Sequence, residues 1–401
     1  MADTSSSLRF SRRRALQAVG GATLAGVAGC TGGGGGEGTF TIGGNLPLSE
    51  GWEPYGNTQI QAAEIAVAEL NDNGGLDGQE VEFVVENNQV DPQTTRDMAS
   101  RLVEQENADI ILGPISSANR IAMASEVSRL QVPALYASQY EGDVAEDYCN
   151  EGMYQLGDVP LQKINPFIPY LMEEHGESFY LLGDDYVWPQ EINGVVREVV
   201  DSEGGEIVGE EYVSLDTTDF TSIIPRIEQA DPDILFMTVT GAGPAAIQDQ
   251  MHEQDVRDQF TQVGLAHGQG VIQGASSEAS EGVLTCHMYF ENIDNEANNE
   301  FVQKLKDKHG EDILINYFTG PAYNAIQLLA DAVKQGGGTS TEELHDGLDG
   351  ATANSVMGET TIEVDQQMTV GTSVGVLNSE QKYDVIESFD PVTPKEQCDD
   401  I

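Results

Sequence analysis

The chain has 401 residues, a formal net charge of −50 and a pI near 4.1, while 39% of it is hydrophobic. It can therefore bury a core and is not disordered by composition, and at roughly 100 to 200 residues per domain two domains are the default. Only 18 Lys and Arg face 68 Asp and Glu, which argues against nucleic acid as a partner and reads as halophilic adaptation of the surface, since such mutual repulsion fades only in concentrated salt.

The first residues are a separate unit. Ser11-Arg12-Arg13-Arg14-Ala15-Leu16 precedes an apolar, small-residue run over 18–29 that is too short to span a bilayer, and together these resemble a twin-arginine export signal. The run ends in Val27-Ala28-Gly29-Cys30, similar to a lipobox. Residues 1–29 are therefore expected to be removed as a signal and Cys30 to be lipidated, with two or more acyl chains because one binds only marginally. Residues 30–38 then form a Gly-rich tether at the extracellular face of the cell membrane. Cys149, Cys286 and Cys398 stand at wide separations unlike zinc sites; one disulfide suits that compartment, and the pair stays open.

From Phe40 onward short apolar runs alternate with longer amphipathic segments, the βα rhythm of parallel sheets. TFTIGGNLPL (39–48) reads as a strand and its exit loop, followed by a helix over 60–71 that stops at Asn73-Gly74-Gly75. Then come a strand over 81–86, a helix over 94–105, a strand over 109–113, a helix over about 119–130 and the strand VPALYA (132–137). That strand runs into ASQYEG (137–142), where Ser138, Gln139, Tyr140 and Glu141 offer more hydrogen-bonding groups than a turn needs. The rhythm resumes with strands over 178–183, 206–213 and 233–240 and helices over 191–202, 220–229 and 244–252. A long helix over 322–334 follows, and 360–386 is strand-like.

The enzymatic signals are weak. Gly241-Ala242-Gly243-Pro244-Ala245-Ala246 fits GxGxxA, but the next strand, FTQVGLA (260–266), is followed by His267 rather than the acid that would hold a ribose. Gly113-Pro114-Ile115-Ser116-Ser117 is not a nucleophile elbow; its serines can cap the next helix, face a ligand, or both. The histidines at 175, 252, 267, 287, 309 and 345 form no metal-binding spacing, and no phosphate loop is present. No catalysis, cofactor or metal is expected. The only tryptophans, Trp52 and Trp188, fall in post-strand loops, either as amphipathic caps or as walls of a pocket between lobes.

The run from GGNLPLSEGWEPYG through AAEIAVAELNDNGGLDGQEVEFVVENNQVDPQTT, then ADIILGPISSA and VPALY, resembles the type I periplasmic-binding fold in its branched-chain amino acid, amide and urea branch. Tyr140-Glu141-Gly142 with Cys149-Asn150, LLGDDYVWP (181–189) and EGGEIVGEEYVSLDTTDF (203–220) are similar to the urea and short-chain amide binders. The first loop is closer to the general amino-acid set, and Ile115 stands where amide sensors carry a polar aromatic.

The resemblance implies an α/β fold of two doubly wound parallel-sheet lobes joined by three crossovers. Lobe 1 would span 39–157 with a return over 291–352, and lobe 2 would span 158–290 with a return over 353–391 and a tail over 392–401. It implies capture of a small polar solute, urea or a short-chain amide, for delivery to an ABC permease and its ATPase. Carried over by position, Ser117, Ser138 and Tyr186 would touch the solute; Gln139, Tyr140 and Glu141 lie in the matched loop, and Thr238 and Thr240 could line the cleft with Trp52 and Trp188. A branched-chain amino acid binder and an amide-sensing regulator remain alternatives.

Overall fold

The computed structural model describes residues 8–10, 38–49, 51–139, 152–215, 217–396 and 398. Cys30 with nearly all of its tether, the export signal apart from Leu8–Phe10, and Tyr140, Glu141 and Cys149 lie outside the described residues.

In the first half of the chain, β1 (Leu8–Phe10), β2 (Thr39–Leu46), α1 (Glu53–Asp72), β3 (Glu80–Asn87), α2 (Pro92–Glu104), β4 (Ile110–Leu112), α3 (Ser117–Leu130), β5 (Ala134–Tyr136) and β6 (Met153–Gln155) build one sheet in the order β1-β3-β2-β4-β5-β6. All pairs in it are parallel except β1, which lies antiparallel on the edge of β3. Next, α4 (Pro160–His175), β7 (Ser178–Asp184), α5 (Val187–Glu203), β8 (Glu206–Val213), α6 (Ile224–Ala230), β9 (Ile234–Thr238), α7 (Gly243–Glu253), β10 (Thr261–Gly264), α8 (Ser277–Ser280) and β11 (Leu284–His287) form a second parallel sheet, ordered β11-β10-β9-β7-β8. Each sheet is covered by helices, as parallel strands buried on both faces require. This is the doubly wound α/β architecture expected from the sequence.

The chain then returns. α9 (Glu296–His309), α10 (Thr319–Gly336) and α11 (Thr341–Leu348) pack on the first half, and β12 (Thr352–Ser355), β13 (Gly358–Val364), β14 (Gln367–Leu377) and β15 (Tyr383–Val392) finish the fold. Gln367 at the start of β14 pairs with Gln155 of β6, whereas Ser373 to Val376 pair antiparallel with β11. One strand thus serves both sheets: Val370 packs in the core of lobe 1 and Val374 in that of lobe 2.

This placement corrects one expectation. The third crossover was expected near 353, but β12 and β13 pair with each other and with the beginning of β14, and Ala353 and Ile362 share an apolar core with Phe40 and Leu328. The crossing therefore falls inside β14, whose 11 residues are long enough to span from one sheet to the other. The other two connections run between β6 and α4 and between β11 and α9.

Helix starts follow local chemistry. α1 begins at Glu53-Pro54, seven residues earlier than the apolar period suggests, because proline suits a first turn and an acid there meets the positive end of the helix. α6 likewise starts later than expected, with Pro225 in its first turn. Cys398 is disulfide-bonded, and Cys286 is free and buried.

Candidate ligand-binding site

The C-terminal ends of the parallel strands in both sheets face one cleft, where open α/β sheets place ligands. Lobe 1 contributes Trp52 and Tyr55 at the start of α1, Ile115, Ser116 and Ser117 after β4, Ser138 and Gln139 after β5, and Tyr317 and Phe318 before α10. Lobe 2 contributes Tyr186 and Trp188 after β7, Thr240 after β9, and Ala266 after β10. The cleft holds about 340 Å³ of atom-free space, part of it open to solvent.

Each wall is fixed by identifiable contacts. Gly113 has φ +107, and a Cβ there would sit 2.6 Å from the Asn45 carbonyl oxygen, so only glycine lets this loop turn against β2. After that turn, Ser116 caps α3 by accepting from Asn119 N at 3.4 Å, and Ser117 opens the helix. The two readings of these serines coincide: the cap also lines the cleft. Tyr136 and Ser138 both donate to the Ile115 carbonyl, at 2.7 and 3.3 Å, tying the loop after β5 to the loop after β4.

The Ser138-Gln139 loop rests on the first crossover. Gln155 Nε2 donates to the Ser138 carbonyl at 3.0 Å, and a Cβ on Gly157 would lie 1.6 Å from that same oxygen. Lys163 Nζ, from the first turn of α4, donates to Gln139 Oε1 at 2.7 Å and pairs with Asp158 Oδ2 at 2.5 Å. The side chains of Lys163 and Asp158 are each 3% exposed. Burial pushes the Asp158 carboxyl above its ordinary range, and the Lys163 ammonium opposes that shift.

In lobe 2 the fixed point is Asp184, which is buried and accepts from Thr240 N at 2.7 Å and from Thr240 Oγ1 at 2.6 Å. Tyr186 stands at the N-terminus of α5, and Trp188, 3% exposed, is in its first turn. No atom among the described residues accepts from Trp188 Nε1.

The aromatic wall extends beyond the residues found in the sequence. Trp52 meets Tyr55 edge-on at 5.5 Å, Tyr55 meets Phe318 at 5.2 Å, and Tyr317 stacks on His287 at 3.8 Å. No Lys, Arg, His, Asp or Glu is among the described residues lining the cleft, and none of the described residues group as metal ligands.

Of the residues singled out in the sequence, the structure brings Trp52, Ser117, Ser138, Gln139, Tyr186, Trp188 and Thr240 together. Thr238 does not join them. It lies within β9 under α5 and donates its hydroxyl to Asn193 Oδ1 at 3.1 Å, so the covering helix, not the cleft, receives its side chain. Tyr140 and Glu141 lie outside the described residues. Tyr55, Ile115, Ala266, Tyr317 and Phe318 line the cleft without having been singled out as ligand contacts.

Two doubly wound lobes with a lined cleft between them define the type I periplasmic-binding fold. The chain belongs to the Periplasmic binding protein family, whose profile matches residues 39–382. An R. palustris ABC transporter solute-binding protein in complex with benzoate superposes with a TM-score of 0.81 at 19% identity, covering 90% of this chain and 100% of its own. Leu/Ile/Val-binding protein homolog 1 of Brucella abortus (strain 2308) is 21% identical over 317 residues, 76% of this chain and 80% of the relative. A 118-residue stretch is 26% identical to a limonene hydroxylase of Geobacillus stearothermophilus; it covers 29% of this chain and spans only 22% of that protein's length. Among the described residues no helix is long and apolar enough to cross a membrane.

Proposed function

We propose that the protein captures a small planar amide or urea between its lobes and delivers it to an ABC permease and its ATPase. The observation that carries this reading is the polarity of the cleft. Ser138 and Thr240 direct their hydroxyl protons to the Ile115 carbonyl and to Asp184, which leaves their oxygens free to accept. Trp188 Nε1, and the Nε2 of Gln139, whose Oε1 is taken by Lys163, supply donors. A neutral amide has both kinds of group and needs no counter-charge. An amino acid would bring an ammonium and a carboxylate into a site where no described lining side chain is charged, and unpaired buried charge is costly.

The narrow, ring-lined space suits a flat solute. A second reading, an aromatic carboxylate, draws on those same rings and on the benzoate complex of the R. palustris protein; its carboxylate would meet the start of α3 at Ser116 and Ser117. In either reading closure is a hinge motion about the three connections, stabilised by contacts from both lobes. Lipidation of Cys30 would hold the exported protein at the outer face of the membrane.

A titration of tryptophan emission in about 2 M salt, where charge repulsion is screened, tests this, because Trp52 and Trp188 face the cleft from opposite lobes. Urea or acetamide is expected to shift the emission saturably, and leucine is not. Saturation by benzoate alone would select the second reading, and saturation by leucine alone would overturn both.

A further inference from the structure

We propose that Lys163, which lies outside the cleft, is a positioning residue that fixes which end of the Gln139 carboxamide faces the solute, and so sets the site to take solutes presenting an oxygen acceptor at that point. The inference rests on the cleft assignment above and deepens it.

An ammonium has three donors and no acceptor. With Lys163 Nζ 2.7 Å from Gln139, the carboxamide must turn its oxygen toward the lysine and its NH2 away from it. The reversed amide would set donor against donor in a dry environment and lose a charge-assisted hydrogen bond, the strong kind. Gln139 lines the cleft, and no atom among the described residues accepts from its Nε2, so the NH2 is left for the solute.

Lys163 cannot simply swing aside. Asp158 holds it at 2.5 Å, both side chains are 3% exposed, and the backbone of Ser138-Gln139 is clamped from below by Gln155 and by the close approach of Gly157. Lys163 also stands on α4, which packs on α5 of lobe 2, whereas Gln139 follows β5 of lobe 1. The polarity of one wall of the cleft is thereby held by a residue from the other lobe, across the first connection.

Solute pairs of like shape that exchange oxygen for NH2 and add positive charge test this: acetamide against acetamidinium, with one oxygen exchanged, and benzoate against benzamidinium, with two. Binding to the full chain in about 2 M salt, where charges are screened, is compared for the wild type, for Gln139→Glu, and for the paired variant Asp158→Asn with Lys163→Met, which leaves no lone buried charge. The wild type is expected to prefer the oxygen member of the pair it binds by about 10-fold or more. Gln139→Glu keeps a partner for Lys163 but places a carboxylate oxygen in the cleft, and should reverse the preference. The paired variant should narrow it to about 3-fold or less, an effect that lost stability alone would not produce.

The proposal is overturned if the paired variant keeps the wild-type preference while only its melting temperature falls, or if Gln139→Glu gains nothing for the amidinium. Should the wild type bind none of the four probes, the cleft reading fails separately, and the solute-free protein still decides on Lys163. In 15N-labelled protein the Gln139 side-chain NH2 signals, identified by their loss in Gln139→Glu, should move and broaden in the paired variant; unchanged signals would contradict the role of Lys163.

Discussion

The two walls of the cleft are anchored differently. In lobe 1 the Ser138-Gln139 loop is held from the hinge, by Gln155 and Gly157 of the first connection and by Lys163 of α4 beyond it. In lobe 2 Thr240 is held from within its own sheet by Asp184 at the end of β7. A change at the hinge therefore alters what lobe 1 offers a solute, while lobe 2 keeps its pattern. The first wall can respond to closure; the second is a fixed reference against which the solute is gripped.

The largest effect is expected from Lys163→Met alone. It leaves Asp158 buried and unpaired, and breaking such a pair typically costs about 3 to 5 kcal/mol, readable by denaturant unfolding in concentrated salt. Asp158→Asn added to it should restore much of that loss, since the lone charge is gone. On the opposite wall, Asp184→Ala strips the acceptor from Thr240 N and Oγ1. It should cost about 1 to 3 kcal/mol and weaken amide binding, while the melting behaviour of a lobe 1 variant such as Ser138→Ala stays near wild type.

Acid titration separates the regions by another route. Burial holds His267, just after β10 in lobe 2, down to about 3, and holds His287 at the end of β11 well below its ordinary value, with the Lys163 charge adding to that shift. Both are depressed in the folded state, so their contribution is fully present above about pH 6.5 and is lost as pH falls toward the folded values. Melting temperature should therefore drop across that window, and His267→Gln should flatten the slope. The smallest effect belongs to Trp188→Phe, which keeps the ring and removes the indole donor. One hydrogen bond of about 1 kcal/mol corresponds to roughly 5-fold weaker amide binding, measured by calorimetry, with no change in fold.

The sequence made the βα rhythm and the post-strand loops legible, and these carry Trp52, Ser138, Gln139, Tyr186 and Thr240 to the cleft. Other contributors gave no such signal. Tyr317 and Phe318 precede α10 rather than follow a strand, and they reach the cleft only because the returning chain packs α10 against α1. An aromatic pair ahead of a long buried helix was the available clue.

Lys163 was hidden for a different reason. α4 carries Pro166 and Pro169 inside it, which in a sequence read as breaks, so the sequence pattern signals neither the helix nor its buried cation. The hinge strand β14 could not be told from an ordinary strand, because period-two alternation records which face is buried and not which sheet covers it. Thr238 and Thr240 look equivalent in the sequence, and only the covering helix distinguishes them.

The central claim is that the cleft offers acceptors and donors together and, among the described residues, no charged side chain. It is tested most directly by the affinities of acetamide and of acetate, its isostere with an anionic oxygen in place of NH2, measured calorimetrically on the full chain in about 2 M salt. Acetamide is expected to bind at least about 10-fold more tightly, because acetate would face the Ser138 and Thr240 oxygens with an acceptor. Equal or tighter binding of acetate would contradict the account.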